Sequence, residues 1–214
     1  MIDIVIPKDN EEEFIRIAQR IGIKGLCFLY QPKEFLDRKK ALAGITEKTK
    51  PQIRILSGLI LDATKAKQFS LDKKISAESD IVAARGLSKS FFDAKGIDMI
   101  FGLESQKKDF AISRNSGLNQ VLCNSARKKG IAIGLSLSEI LLSENSERAD
   151  IIGRIMQNIF LCRKYGVKIK IASFAQNPIL LRRQNDIRSL FQAIGLSSED
   201  ALQAFEPGFG KKKE

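Results

Sequence analysis

Gly130-Ile131-Ala132-Ile133-Gly134-Leu135 is the stretch on which the fold turns. It follows residues 117–129, where Leu118, Val121, Leu122 and Ser125 recur at helical spacing. The glycine supplies the left-handed residue that ends a helix, and the β-branched isoleucine opens a strand. The same junction recurs at Gly22-Ile23, Gly96-Ile97 and Gly166-Val167, and Gly195-Leu196 repeats its helix-ending half. Gly130 lies 34 residues after Gly96, and Gly166 lies 36 after Gly130, the length of a strand-plus-helix unit.

Working outward from that unit, strands are expected at residues 2–6, 25–30, 53–61, 81–84, 99–101, 131–135 and 168–172. Most are nearly continuous apolar runs, as in a parallel sheet covered on both faces. Lys168-Ile169-Lys170-Ile171 alternates and reads as wetter or more irregular. Helices are expected at 9–21 (Phe14, Ile17, Ala18 and Ile21 on one face), at 147–165 (Ile152, Ile155, Met156, Ile159 and Phe160) and at 186–194 (Ile187, Leu190, Phe191 and Ile194). Glu11, Glu12 and Glu13 suit a first helical turn. The class is α/β, and two architectures remain at this point: a TIM-like barrel or an open doubly wound sheet. An eight-fold barrel usually takes about 250 residues, so a barrel here is compact and somewhat irregular. Residues 106–116 lack periodicity and read as a loop. Residues 1–207 read as a single domain, and residues 208–214, ending in Lys211-Lys212-Lys213-Glu214, as a disordered basic tail.

Composition narrows the chemistry. Of 214 residues, 43% are hydrophobic, enough for a substantial core. No apolar run approaches the length of a membrane span, and Met1–Pro7 lacks the features of a secretory leader, so a cytoplasmic protein is expected. Cys27, Cys123 and Cys162 are odd in number and widely spaced, and read as buried thiols. The formal net charge is +11. Residues 1–110 carry 20 Lys/Arg and 16 Asp/Glu, and the remainder 16 and 9, so the excess rises from +4 to +7. Such a balance favours polyanion partners, because neutralising phosphate releases counterions. Histidine is absent, which removes Ser-His-Asp triads, Cys-His pairs and His-dependent metal sites.

No GxGxxG or P-loop follows a strand, and Gly134-Leu135-Ser136-Leu137 does not make a nucleophile elbow. Asp3, Asp80 and Asp98 fall at strand starts, the stability face of a barrel. Asp62 and Glu104 follow their strands and could hold Mg²⁺ in a phosphohydrolase, with Arg182 on the phosphate. Cations in loops after strands point elsewhere. Arg85, Lys107, Lys108, Arg114 and Asn115, Arg182 and Arg183 would share one rim of a barrel, where Arg can hold phosphate bidentately and stack on bases. Lys128, Lys129, Lys168 and Lys170 would lie at the opposite end, as a second contact or as solvated ends. No cluster of exposed aromatics is evident, so contact with RNA would run through backbone and shape.

Four stretches carry a family resemblance. They are Ile2–Gly22; Asp98-Met99-Ile100-Phe101 with Gly117–Gly130; Ile131-Ala132-Ile133-Gly134-Leu135-Ser136 with Leu141-Leu142; and Arg182-Arg183-Gln184-Asn185-Asp186-Ile187 with Ala193-Ile194-Gly195-Leu196 and Ala201. In order and spacing the chain resembles the archaeal ribonuclease P protein component 3 family, relatives of the eukaryotic thirty-kilodalton ribonuclease P subunit. The resemblance implies a TIM-like barrel in the ribonucleoprotein endonuclease that removes 5′ leaders from precursor tRNA. There the RNA subunit, with its Mg²⁺, supplies catalysis. The isolated chain would be non-catalytic and bind no cofactor. It would contact ribonuclease P RNA and pair with protein component 2, as heterodimer or heterotetramer, beside the other protein subunits. A structural heterodimer partner without direct RNA contact is the remaining alternative. The family's Arg-x-x-x-Asp element falls on Arg182 and Asp186, with Arg183-Gln184-Asn185 between them where the family often has Ser-Pro-Arg. The barrel is also similar to that of the polymerase and histidinol phosphatase hydrolases. Their His-x-His metal motif corresponds here to Ile4-Val5-Ile6-Pro7.

Overall fold

The computed structural model describes residues 2–64, 73–105, 109–110 and 113–205. Seven parallel strands, β1 (Ile2–Val5), β2 (Gly25–Tyr30), β3 (Arg54–Asp62), β4 (Ile81–Arg85), β5 (Met99–Phe101), β6 (Ala132–Ser136) and β7 (Ile169–Ala172), lie in the sheet in chain order. β7 then returns to β1. A bridge joins Val5 to Ala175, and the Phe174 N–H donates to the Ile4 carbonyl at 2.8 Å. The sheet is therefore a nearly closed barrel, and the open alternative falls away. Around it run α1 (Glu11–Ile21), α2 (Phe35–Thr49), α3 (Lys73–Glu78), α4 (Lys89–Asp93), α5 (Gln120–Lys129), α6 (Leu137–Leu142), α7 (Asn145–Tyr165), α8 (Gln184–Ala193) and α9 (Ser198–Ala204).

The glycine junctions behave as their chemistry requires. α5 and α7 end on Gly130 and Gly166 at φ 71° and 66°, where a side chain would be strained. Alternation along the strands then sorts side chains into two cores. Ile4, Cys27, Leu29, Ile60, Ile81, Met99 and Phe101 fill the barrel, while Leu26, Phe28, Leu59, Val82, Ile100, Ile133 and Ile171 meet the helices. The seven-stranded interior is tight. A Cβ on Gly58 would lie 2.4 Å from Ile81 Cγ2, and one on Gly134 would lie 2.8 Å from Phe101 Cβ. All three cysteines are buried free thiols.

Three aspartates stitch neighbouring strands by accepting backbone N–H groups. Asp80 takes Ser57 at 2.9 Å, and Asp98 takes Val82 at 2.8 Å. Asp3 Oδ1 takes Ser173 at 2.7 Å across the β7–β1 seam, where strand pairing is sparsest. Asp3 is fully enclosed, and that burial raises its pKa to about 6 against the bonds from Ser173 and Ile4.

Two helical faces differ from the periodicity reading. On α7, Met156 and Phe160 are 49% and 63% exposed, and the core face is Ile151, Ile155, Ile159 and Cys162 with the polar Arg154 and Asn158. On α5, Val121 is 69% exposed, and Leu122, Cys123 and Ala126 are buried. In each case the outward residues belong to an apolar stripe wider than the barrel beneath can cover. Lys170 departs from the wet reading of its strand: it is buried, and its Nζ donates to the Gln203 carbonyl of α9 at 2.9 Å. The expected basic tail, 208–214, lies outside the described residues.

Candidate nucleic-acid interface

The expected contact residues fall at two ends of the barrel. Arg85 ends β4, and Arg114, Asn115, Arg182 and Arg183 follow the C-terminal ends of β5 and β7, on one rim. Lys128 lies in the last turn of α5 and Lys168 precedes β7, at the opposite, N-terminal mouth. Lys107 and Lys108 lie outside the described residues.

The rim is an ionic network. Arg85 Nη2 donates to Asp62 Oδ2 at 2.6 Å from the adjacent strand. Partial burial opposes ionisation of Asp62, but Arg85 and the Thr64 N–H and hydroxyl outweigh it and hold the carboxyl below its usual range. Beyond β5 the loop is strapped to α7. Asp109 Oδ1 accepts Arg154 Nε at 2.8 Å and the Asn115 N–H at 2.7 Å, and its Oδ2 accepts Arg114 Nη1 at 2.9 Å. The bond from Arg154 is the chief reason the Asp109 carboxyl lies well below the usual range. Arg114 also reaches Asp150 at 2.5 Å, and Gln157 of α7 takes the Ser116 N–H while donating to the Arg114 carbonyl. On the far side of the rim Arg38 meets Asp9, Glu11 and Glu34. Arg182 donates to the carbonyls of Ile179 and Leu181, and Arg183 is exposed at the start of α8.

The two acids considered for a metal do separate work. Asp62 holds Arg85. Glu104 is fully buried, accepts the Ser136 N–H at 2.8 Å, and has its pKa pushed up to about 7 by burial. Nor do the residues at the hydrolase family's metal position fit an ion: the end of β1 is apolar, and inside the barrel Phe101 and Phe174 stack with ring centroids 4.0 Å apart. Among the described residues no helix is long and apolar enough to cross a membrane.

The N-terminal mouth differs. Lys128 and Lys168 are exposed, and neighbours that individual inspection of the sequence did not single out, Arg127, Arg163 and Lys164, crowd the same place. The signal that could have found them is the spacing of carboxylates: no Asp or Glu occurs from 110 to 138 or from 151 to 185. A groove of about 720 Å³ opens beside them, lined by Arg163, Lys168 and Lys170 and by Asp98, Glu199 and Asp200.

Comparison with known proteins agrees with this architecture. The RNase P subunit p30 family model matches residues 1–208. The chain is 28% identical over 198 residues to ribonuclease P protein component 3 of Methanosarcina acetivorans, covering 90% of this chain and 78% of the relative. The Methanosarcina mazei protein of the same name is 26% identical over the same shares. In three dimensions the fold superposes with a TM-score of 0.78 and 22% identity on a chain of archaeal ribonuclease P with mature tRNA, covering 95% of this chain and 86% of that one. With a barrel of the same kind and a family match from end to end, the chain belongs to the RNase P subunit p30 family.

Proposed function

We propose that the chain is a protein subunit of ribonuclease P that supports the catalytic RNA in removing 5′ leaders from precursor tRNA, and is not itself the nuclease. The observation that carries this is the family match over residues 1–208, in a chain with a net charge of +11. Its chemistry fits a supporting role. Cations screen phosphate repulsion where RNA helices pack, and the cost of that packing falls on Mg²⁺ when protein is absent. Mg²⁺ belongs to the RNA subunit in this reading. Arg85, Lys107, Lys108, Arg114, Asn115, Lys128, Lys168, Arg182 and Arg183 are the proposed contacts. Protein component 2 is the proposed protein partner, and the cytoplasm the place of work.

Reconstitution tests it. Precursor-tRNA cleavage by ribonuclease P RNA with all protein subunits is compared with the same mixture lacking this chain, at low Mg²⁺. The expected result is a marked loss of cleavage on omission, partly restored by raising Mg²⁺. Equal cleavage with and without the chain would remove the proposal.

A further inference from the structure

The geometry points to the N-terminal mouth of the barrel, where α5 and α7 end side by side, as the principal surface on which this chain holds RNA phosphate. This rests on the ribonuclease P reading above for the identity of the polyanion. It differs from that reading in assigning the work to one end, and in bringing in residues beyond Lys128 and Lys168.

Two helices finish together here. Arg127, Lys128 and Lys129 form the last turn of α5, and Arg163 and Lys164 that of α7, with Lys168 opening the next strand. The ends adjoin, since a Cβ on Gly166 would lie 3.5 Å from Arg127 Nε. All six cations are exposed. Among the described residues only Arg163 has an ion-pair partner, Asp200 at 3.5 Å. Lys129 donates to the Asp93 carbonyl, and Lys164 sits 5.6 Å above the Tyr165 ring.

Magnitudes separate a capping role from a binding role. A helix C-terminus presents roughly half a negative charge, so two of them account for about one cation. With Lys170 and the groove's Asp98, Glu199 and Asp200 included, seven cations and three carboxylates leave a surplus of about three charges after that allowance. Groups on two packed helices lie within about one Debye length of 8–10 Å, so they act as a common field. No carboxylate of α5, or of α7 after Asp150, reduces it. The groove adds shape. It is lined by Arg163, Lys168 and Lys170 together with Asp98 and, on α9, Glu199 and Asp200, and Arg163 and Lys170 reach across to α9 at Asp200 and the Gln203 carbonyl, so the exposed cations at the ends of α5 and α7 are the ones open to phosphate. The surplus at the rim is smaller, because Arg38, Arg85, Arg114 and Arg154 are each held by carboxylates, while Arg182 and Arg183 are exposed without an ion pair among the described residues.

The test compares the ends in the full-length chain. R127Q/K128Q/K168Q neutralises the mouth while avoiding the strain of charge reversal, and R85Q/R182Q neutralises the rim. Affinity for full-length ribonuclease P RNA is measured as a function of salt, and each variant is also placed in the reconstituted holoenzyme. Unfolding by urea confirms that each variant is folded. The mouth variant is expected to bind at least about tenfold more weakly, with a salt slope shallower by roughly 2–3, near one unit per lost phosphate contact. The rim variant also removes two proposed contacts, but Asp62 already neutralises Arg85, so a smaller loss of about threefold is expected, with a salt slope shallower by about one. A loss confined to the rim variant overturns the assignment. So does unchanged affinity in both. In either case cleavage that still depends on the presence of the chain leaves the subunit reading standing, whereas cleavage indifferent to its omission removes that reading instead.

Discussion

The two ends of the barrel are made by the same repeating unit, and they hold charge in opposite ways. At the C-terminal rim three arginines meet carboxylates from neighbouring elements, Arg85 meeting Asp62, Arg114 meeting Asp109 and Asp150, and Arg154 meeting Asp109, while Arg182 and Arg183 stand outside this network. At the N-terminal mouth Arg127, Lys128, Lys129, Lys164 and Lys168 have no ion pair among the described residues. Paired charge fixes loops in place and leaves little net field. Charge without an ion pair stabilises the fold only modestly, through the helix ends, and remains available to a polyanion. Removing a rim cation should therefore cost stability, and removing a mouth cation should not.

The largest effect is expected at Arg154. Its side chain is 7% exposed, and it holds both the Asp109 carboxylate and the Glu104 carbonyl. Arg154→Ala takes the strap off the loop after β5, removes a buried side chain and leaves Asp109 only the exposed Arg114 as an ion-pair partner, which costs about 3 kcal/mol. Urea unfolding measures it. A loss below about 1 kcal/mol would mean that the rim network is surface decoration.

Next comes the buried acid beneath that strap. Glu104 has its pKa raised to about 7 from 4.5, so the folded chain keeps a proton that the unfolded chain releases. Its contribution is intact below the unfolded value and lost as pH rises through the folded one, a fall of at most about 3 kcal/mol complete near pH 7. Asp3 acts likewise over a lower window, from 3.8 to about 6. Glu104→Gln keeps an acceptor for the Ser136 N–H and should flatten the decline between pH 5 and pH 8. Identical pH profiles for the two proteins would show that Glu104 is ionised in the fold.

Much of this contrast was beyond sequence reading, for identifiable reasons. Strand positions were legible to within about two residues, because glycine stops and β-branched starts are local signals. α2 was not foreseen: its 15 residues bury only Phe35 and Leu42, too few for periodicity to register. On α7 the apolar stripe led to Met156 and Phe160, whereas Arg154 and Asn158 take the inner face. An arginine buries only because its partners are present, and here they come from 45 and 50 residues away in the chain. The same holds for the rim cations. Arg85 reads as a free cation until β3 places Asp62 against it, 23 residues upstream. Pairing across strands is a property of register, and register is what a single sequence conceals.

A smaller effect is expected at Arg85. The pair with Asp62 is partly exposed, 40% and 18%, so solvent screens it. Arg85→Ala should cost about 1 kcal/mol, and Asp62→Asn a similar amount. If the pair is one unit, the double variant should cost little more than either single one, a non-additivity that a thermodynamic cycle detects. Strict additivity would separate the two residues and weaken the picture of a neutralised rim.

The smallest effect falls at the other end, and it carries the most weight. Lys168→Ala removes an exposed cation without an ion pair among the described residues, and stability should move by no more than about 0.5 kcal/mol. Relief of repulsion from Arg163 and Lys164 could even make the change favourable, most visibly at low salt, where screening is weakest. A measured loss above about 1 kcal/mol would give Lys168 a structural partner and erase the distinction between the ends. If stability holds while RNA affinity drops, the two readouts part at the mouth. At Arg154 the loss should instead appear in stability first, with any loss of RNA affinity following from the loosened loop. The two helix ends account for about one of these cations, so such a separation would make the surplus at the mouth a surface for its partner.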